Sequence, residues 1–179
     1  MDGKGEMGMK VRIYPAQPQG RVQIPPSKGL SHRALLAAAL AGGESRIFNM
    51  GASKDIEATL RGVERLGARV EQAEGITRVF GNGGKLPGQI GSIHCGESGS
   101  TLRFLLPLLA STPETIRLTG EGRLMERPLT VYEELFSSQQ IPFCRGKEGI
   151  LVGGSLRAGK LTVRGDVSSQ FITGLLYAL

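Results

Sequence analysis

The sequence predicts an α/β protein made of repeated βαβαββ units packed about a pseudo-threefold axis. Three observations predict it. The stretches SKGLSHRALLAAAL, SGSTLRFLLPLLAS and SSQFITGLLYAL each set a serine-bearing turn before an apolar helix, and each follows a short apolar strand pattern. They recur at a spacing of about seventy residues. Between them the order helix, strand, helix, strand, strand repeats, and 27 glycines among 179 residues supply the turns that such short elements need.

Residues 1–20 form a polar, glycine-rich leading segment with one expected strand at 11–14. The first unit, 21–82, runs strand 21–24, helix 31–41, strand 45–48, helix 55–66, then strands 69–72 and 77–80. Pro25 and Pro26 stop its first strand, because proline lacks a backbone donor and restricts the residue before it. Ser53 caps the second helix, Ile56, Leu60 and Val63 keep its period, and Gly67 closes it. The second unit, 83–154, runs strand 91–94, helix 101–109, strand 115–118, helix 128–137, then strands 141–144 and 150–152. Pro128 suits a first helical position, where its missing N–H costs nothing. The third, 155–179, offers strand 160–163 and helix 170–179. That helix ends on Leu175, Leu176, Tyr177, Ala178 and Leu179, an apolar face with no cap or polar tail, so the chain reads as the front part of something longer.

An apolar share of 40% and a charged share of 21% are those of a globular protein. The charge of +6, from 22 basic and 16 acidic residues, favours acidic partners. The bases are scattered, tryptophan is absent and aromatics are 5%, which argues against a stacking platform for nucleic acid. Cys95 and Cys144 lie far apart with no CxxC, a pattern of buried or half-buried free thiols rather than a disulfide framework or zinc site. No apolar run is long enough for a bilayer, and the N-terminus lacks a signal peptide's apolar core, so a cytoplasmic setting is expected.

The first serine-bearing turn carries the sharpest chemical signal. Ser27, Lys28, Ser31 and Arg33 crowd the start of a helix, where free N–H groups and the positive end of the dipole already gather. Cations sit poorly there unless an anion offsets them, so the turn hints at an anion site, although by itself it reads equally as a solvated basic helix start. The Gly96–Arg103 turn can bring backbone N–H groups close to a phosphate. In GEGRLMERP, Arg127 stands directly before Pro128 with the rigid fork of donors that suits carboxylate or phosphate. Arg123 reads as an ion-pair partner of Glu121 or Glu126, and Arg103 as a brace. Ser168, Ser169 and Gln170 supply hydroxyls and an amide at a third helix start, with Asp166 shaping the turn before them. His32 and His94 have no metal-ligand partner at useful spacing.

Four stretches in order, SKGLSHRALL, CGESGSTLRFLLPLLA, GEGRLMERP and GDVSSQF, make the chain resemble the 5-enolpyruvylshikimate-3-phosphate synthase family from residue 21 to 179. The resemblance implies two domains of three βαβαββ units each, an inside-out α/β barrel with helices inside and sheets outside. This chain would supply the leading segment, which belongs with the second domain, and an incomplete first domain. The implied reaction moves the enolpyruvyl group of phosphoenolpyruvate to the 5-hydroxyl of shikimate 3-phosphate, through a tetrahedral ketal phosphate that expels phosphate. No cofactor or metal is implied.

By that resemblance Lys28 touches both substrates and comes nearest to a catalytic role, while Arg33 binds the shikimate carboxylate. Gly29 stands where the family usually has a serine with a hydroxyl on that carboxylate, which implies weakened substrate binding. Ser168 and Ser169 match the serines at the shikimate phosphate, and Gln170 the glutamine over the ring and phosphoenolpyruvate. Gly99 lies against phosphoenolpyruvate, at the place that also admits glyphosate, and Arg127 matches the phosphoenolpyruvate arginine. Glu97 stands where many members have asparagine, and Phe104 where proline is frequent. The family's general acid and base lie in the part absent here. The implied partners are the two substrates and the C-terminal half of the enzyme, with neither nucleic acid nor membrane, in a monomer when complete. Turnover by this chain alone is not expected. The related transferase acting on UDP-N-acetylglucosamine usually has a reactive cysteine before the arginine matching Arg127; residues 120–126 contain none. A basic module for RNA or another anion is the reading from a different class, and salt-sensitive binding to unrelated nucleic acids would support it.

Overall fold

The structure is a computed structural model that describes residues 11–12, 14–17, 19–157 and 159–179. Helix α1 (Lys28–Leu40) leads into strand β1 (Gly42–Phe48), helix α2 (Lys54–Arg65), and strands β2 (Arg69–Ala73) and β3 (Ile76–Asn82). The order then returns as β4 (Ser92–His94), α3 (Gly99–Leu109), β5 (Ile116–Thr119), α4 (Thr130–Gln139), β6 (Phe143–Gly146) and β7 (Gly149–Val152), with α5 (Ser169–Ala178) last. The expected βαβαββ order is complete in the second repeat, whereas the first lacks its leading strand and shows αβαββ.

Each repeat makes its own sheet. The first has the order β1-β3-β2, antiparallel throughout. Its β2–β3 turn is two residues, Glu74 and Gly75, both at positive φ, the twist that a tight hairpin needs. The second has the order β4-β5-β7-β6, with β4 parallel to β5 and the other pairs antiparallel. Among the described residues the two sheets stay separate, and no closed barrel forms.

Helix α3 is the centre of the packing. Nine of its eleven residues are buried, and it packs on α1, α2 and α5. Close approach elsewhere depends on particular glycines. A Cβ on Gly81 would fall 2.1 Å from the Ala41 carbonyl, so only glycine lets β3 run this near the end of α1.

Two expected strands do not form. Residues 21–24 and 160–163 belong to no sheet, and Val22 and Ile24 are 87% and 81% exposed. A strand exists through its ladder, and β4 owes its own to β5, the strand after α3. The described residues hold no strand after α5 to serve 160–163, and none pairs with 21–24. Of the strand expected at 11–14, residue 13 lies outside the described residues and the others are in no strand.

Boundaries also moved. Helix α1 begins at Lys28 rather than Ser31, because the Ser27 hydroxyl caps it by accepting from the Leu30 N–H at 3.4 Å. Helix α4 begins after Pro128, which lies outside it, with Leu129 in the cap position. Cys144 is exposed instead of half-buried, whereas burial pushes the Cys95 thiol up to about 12.

Candidate active site

The starts of α1, α3 and α5 converge, joined by arginine side chains. The first turn of α1 holds no acidic residue, so Lys28 takes its counter-charge from the next helix, with Nζ 2.7 Å from Asp55 Oδ2. Asp55 lies in the first turn of α2, where a carboxylate also complements the dipole. Sequence reasoning missed Asp55, which is an ordinary first-turn acid until the fold brings α2 beside α1.

Arg33 reaches from α1 to α5. Its Nη1 donates to the Gly29 carbonyl at 2.9 Å, Nη2 to Ser169 Oγ at 3.3 Å, and Nε to Thr173 Oγ1 at 3.3 Å. The guanidinium also lies 5.3 Å from the centre of the Phe104 ring, within cation–π range. Tyr177 of α5 donates its hydroxyl to the Arg33 carbonyl at 2.9 Å.

Gln170 does the corresponding work between α5 and α3. Its Oε1 accepts from Arg103 Nη1 at 2.7 Å, and its Nε2 donates to Ser100 Oγ at 2.8 Å. Ser168 caps α5 by accepting from the Gln170 N–H at 3.3 Å. Asp166 is held by Arg164 through contacts of 2.8 and 3.1 Å. Arg103 is a brace, as expected: it also donates to the Pro128 carbonyl at 3.2 Å.

Gly99 faces Arg127. A Cβ on Gly99 would fall 2.6 Å from Arg127 Nη1, so the missing side chain is what leaves room for this guanidinium. The backbone around Arg127 is held by Arg145, whose Nε donates to the Met125 carbonyl at 2.8 Å and Nη2 to the Arg127 carbonyl at 2.7 Å. Arg145 is in turn paired with Glu133 at 3.1 Å. No sequence signal singled out Arg145. Arg127 lines an open cleft with Arg123, Glu126 and Pro128. Arg123 is spent on Glu126 at 2.9 Å, as its spacing suggested.

The charge balance is the telling feature. Among the described residues, Arg33, Arg103 and Arg127 have no carboxylate partner. Burial, and then the positive charge of Arg127, lower the pKa of Arg103. Guanidiniums held near each other without an anion make a region that favours carboxylates and phosphates. The structure thus gathers Gly29, Arg33 and Ser169, then Gln170 with the Arg103 brace, then Gly99 and Arg127. Lys28 is tied to Asp55 rather than to these residues.

His94 lies apart in β4, 2.9 Å from Thr119 Oγ1 and 3.0 Å from Glu121 Oε1. Among the described residues no group of three or more His, Cys, Asp or Glu side chains could hold a metal ion. No helix of the described residues is long and apolar enough to cross a membrane.

Known proteins identify the family and the fold. The family model described as EPSP synthase (3-phosphoshikimate 1-carboxyvinyltransferase) matches residues 14–179. A 3-phosphoshikimate 1-carboxyvinyltransferase of Clostridium kluyveri is 48% identical over 174 residues, covering 94% of this chain and 40% of the relative. One of Clostridium novyi is 40% identical over 182 residues, covering 94% of this chain and 41% of the relative. The solved EPSP synthase of Acinetobacter baumannii shares the fold, with a TM-score of 0.76 at 23% identity over 89% of this chain and 37% of that one. The chain therefore spans about 40% of the length of the curated relatives it matches. With a family model matching nearly its whole length, this chain belongs to the EPSP synthase family.

Proposed function

We propose that this chain supplies the shikimate 3-phosphate side of an enolpyruvyl transferase acting in the cytoplasm, and part of its phosphoenolpyruvate site. The observation that supports this reading is that Arg33, Arg103 and Arg127, at three converging helix starts, have no carboxylate partner among the described residues. Arg33, with Gly29 beside it, takes the shikimate carboxylate, and Ser168 and Ser169 take the phosphate. Gln170, already oriented at both ends by Arg103 and Ser100, lies over the ring. Arg127, in the space that Gly99 leaves, takes the carboxylate or phosphate of phosphoenolpyruvate, and Lys28 is shared between the substrates.

Two polyanions must be held side by side for the 5-hydroxyl to add to phosphoenolpyruvate. Fixed cations do this through positioning and through stabilising charge in the transition state. The acid and base that move the proton lie outside these residues, in the second domain with which 1–20 belongs, and the complete enzyme is a monomer. Residues 21–82 and 83–154 are two units of the first domain, and 155–179 the opening of its third.

Calorimetry tests the reading. Shikimate 3-phosphate should bind the 179-residue chain weakly, and more tightly once the C-terminal portion of the Clostridium kluyveri relative is added. Only the mixture should release phosphate from phosphoenolpyruvate. Phosphate release by the chain alone above a Lys28→Ala control, or no binding by the mixture, contradicts it.

A further inference from the structure

Beneath the basic turns runs a buried polar chain that makes none of the contacts described above. His32 Nδ1 lies 2.6 Å from Thr59 Oγ1, Thr59 Oγ1 lies 2.6 Å from Thr101 Oγ1, and Thr101 Oγ1 lies 2.7 Å from Ser98 Oγ. All four residues are at most 1% exposed. The chain crosses three helices: it starts in α1, passes through α2 and ends at the cap of α3, immediately before Gly99.

Its position in the helices gives it meaning. His32 is one turn after Lys28 on the same face of α1, and Thr59 is one turn after Asp55 on the same face of α2. The Lys28–Asp55 pair and the His32–Thr59 contact are thus two rungs between the same helices. Thr59 Oγ1 is also 3.3 Å from the Asp55 carbonyl, and Ser98 Oγ accepts from the Thr101 N–H at 3.2 Å. Ser98, which fixes the first turn of α3, is therefore connected through three short contacts to the helix that carries Lys28 and Arg33.

Stability alone does not call for such a chain. Burying polar groups costs free energy, and replacing both partners of a buried hydrogen bond with apolar groups of the same shape can be nearly neutral. Here the burial even leaves His32 Nε2 with no partner among the described residues. What short hydroxyl contacts add is a fixed distance and direction between elements, which apolar packing defines less sharply.

We propose that His32, Thr59 and Thr101 are positioning residues that lock the starts of α1, α2 and α3 into one frame, so that an anion held at Lys28 and Arg33 presets the Gly99 turn. The ligand half of this statement rests on the proposed function, whereas the frame itself does not.

Amide hydrogen exchange on the ligand-free 179-residue chain tests the frame. His32→Leu should speed exchange of the Thr101 and Leu102 amides about fivefold relative to Leu106, the factor expected for one lost hydrogen bond. In a Thr59→Val background, where the chain is already cut, His32→Leu should add less than about twofold at those amides. Thr59→Ser keeps the hydroxyl and should match the unmodified protein. If His32→Leu does not fold, the contrast between Thr59→Val and Thr59→Ser at Thr101 decides alone. Unchanged α3 amides, or equal increments in both backgrounds, overturn the proposal, since a merely local packing role for His32 does not reach α3.

A second arm reads shikimate 3-phosphate affinity. It should fall about fivefold in His32→Leu and no further in the double variant. Complete absence of binding contradicts the proposed function and leaves the exchange data to decide the frame.

Discussion

The Tyr132 hydroxyl donates to the Arg103 carbonyl at 2.8 Å, and that carbonyl is the one Pro107 leaves without a donor. Within a helix the N–H of residue 107 would serve the carbonyl of residue 103, and proline has none. Tyr132 comes from α4, is fully buried, and is also 3.0 Å from the Phe171 carbonyl of α5. Burial raises the pKa of its phenol, which keeps the donor proton in place. One side chain thus closes the gap made by Pro107 and clamps α3 to α5 near Arg103 and Gln170.

Removing that donor should be costly in a specific way. Tyr132→Phe leaves a buried carbonyl unpaired and should destabilise the chain by about 1–3 kcal/mol in urea unfolding. Pro107→Ala restores an N–H to the same carbonyl and should recover part of the loss in the Tyr132→Phe background. Simple addition of the two single effects counts against the clamp.

Gly174 is needed where α5 crosses α3. A Cβ there would fall 2.4 Å from the Tyr132 hydroxyl and 2.5 Å from the Arg103 carbonyl. Gly174→Ala should cost about 1–3 kcal/mol by overpacking. It should also weaken shikimate 3-phosphate binding through the Arg103–Gln170 contact. Calorimetry and urea unfolding on one preparation check both effects.

Gly29 is the contrasting case. Its backbone is not at positive φ, and a Cβ there would meet only Arg33 Nη1, at 3.5 Å. Gly29→Ser should raise stability by about 0.5 kcal/mol, the difference between the two residues in a helix. Its hydroxyl should also tighten shikimate 3-phosphate binding. A thermal melt that falls, or unchanged affinity, contradicts this.

His32 makes stability depend on pH. Burial dominates, outweighing the opposing pull of Asp55 with smaller help from the positive charges of Lys28 and Arg33, and lowers its pKa to about 4 from 6.5. Because the folded pKa is depressed, the unfolded chain binds the extra proton between those values. The contribution is complete above about pH 6.5, falls as pH drops through that window, and is gone below pH 4, about 3 kcal/mol in all. Urea unfolding between pH 4 and 7 should show this slope, and His32→Asn should flatten it.

The sequence alone determined the αβαββ repeat, the helix cap at Ser53, and the three serine-bearing starts, because propensity, capping and period act over a few residues. It also carried the family resemblance, since the motifs lie in order along the chain. No sequence signal paired Tyr132 with the Arg103 carbonyl 29 residues before it, the one that Pro107 leaves without a donor. Only the tertiary structure decided that Lys28 pairs with Asp55, that Arg33 reaches Ser169, and that Arg145 holds the backbone of Arg127. It also decided that 21–24 and 160–163 stay out of the sheets. Ladders, counter-charges and shared hydrogen bonds depend on which distant segments become neighbours, and local composition does not encode that pairing.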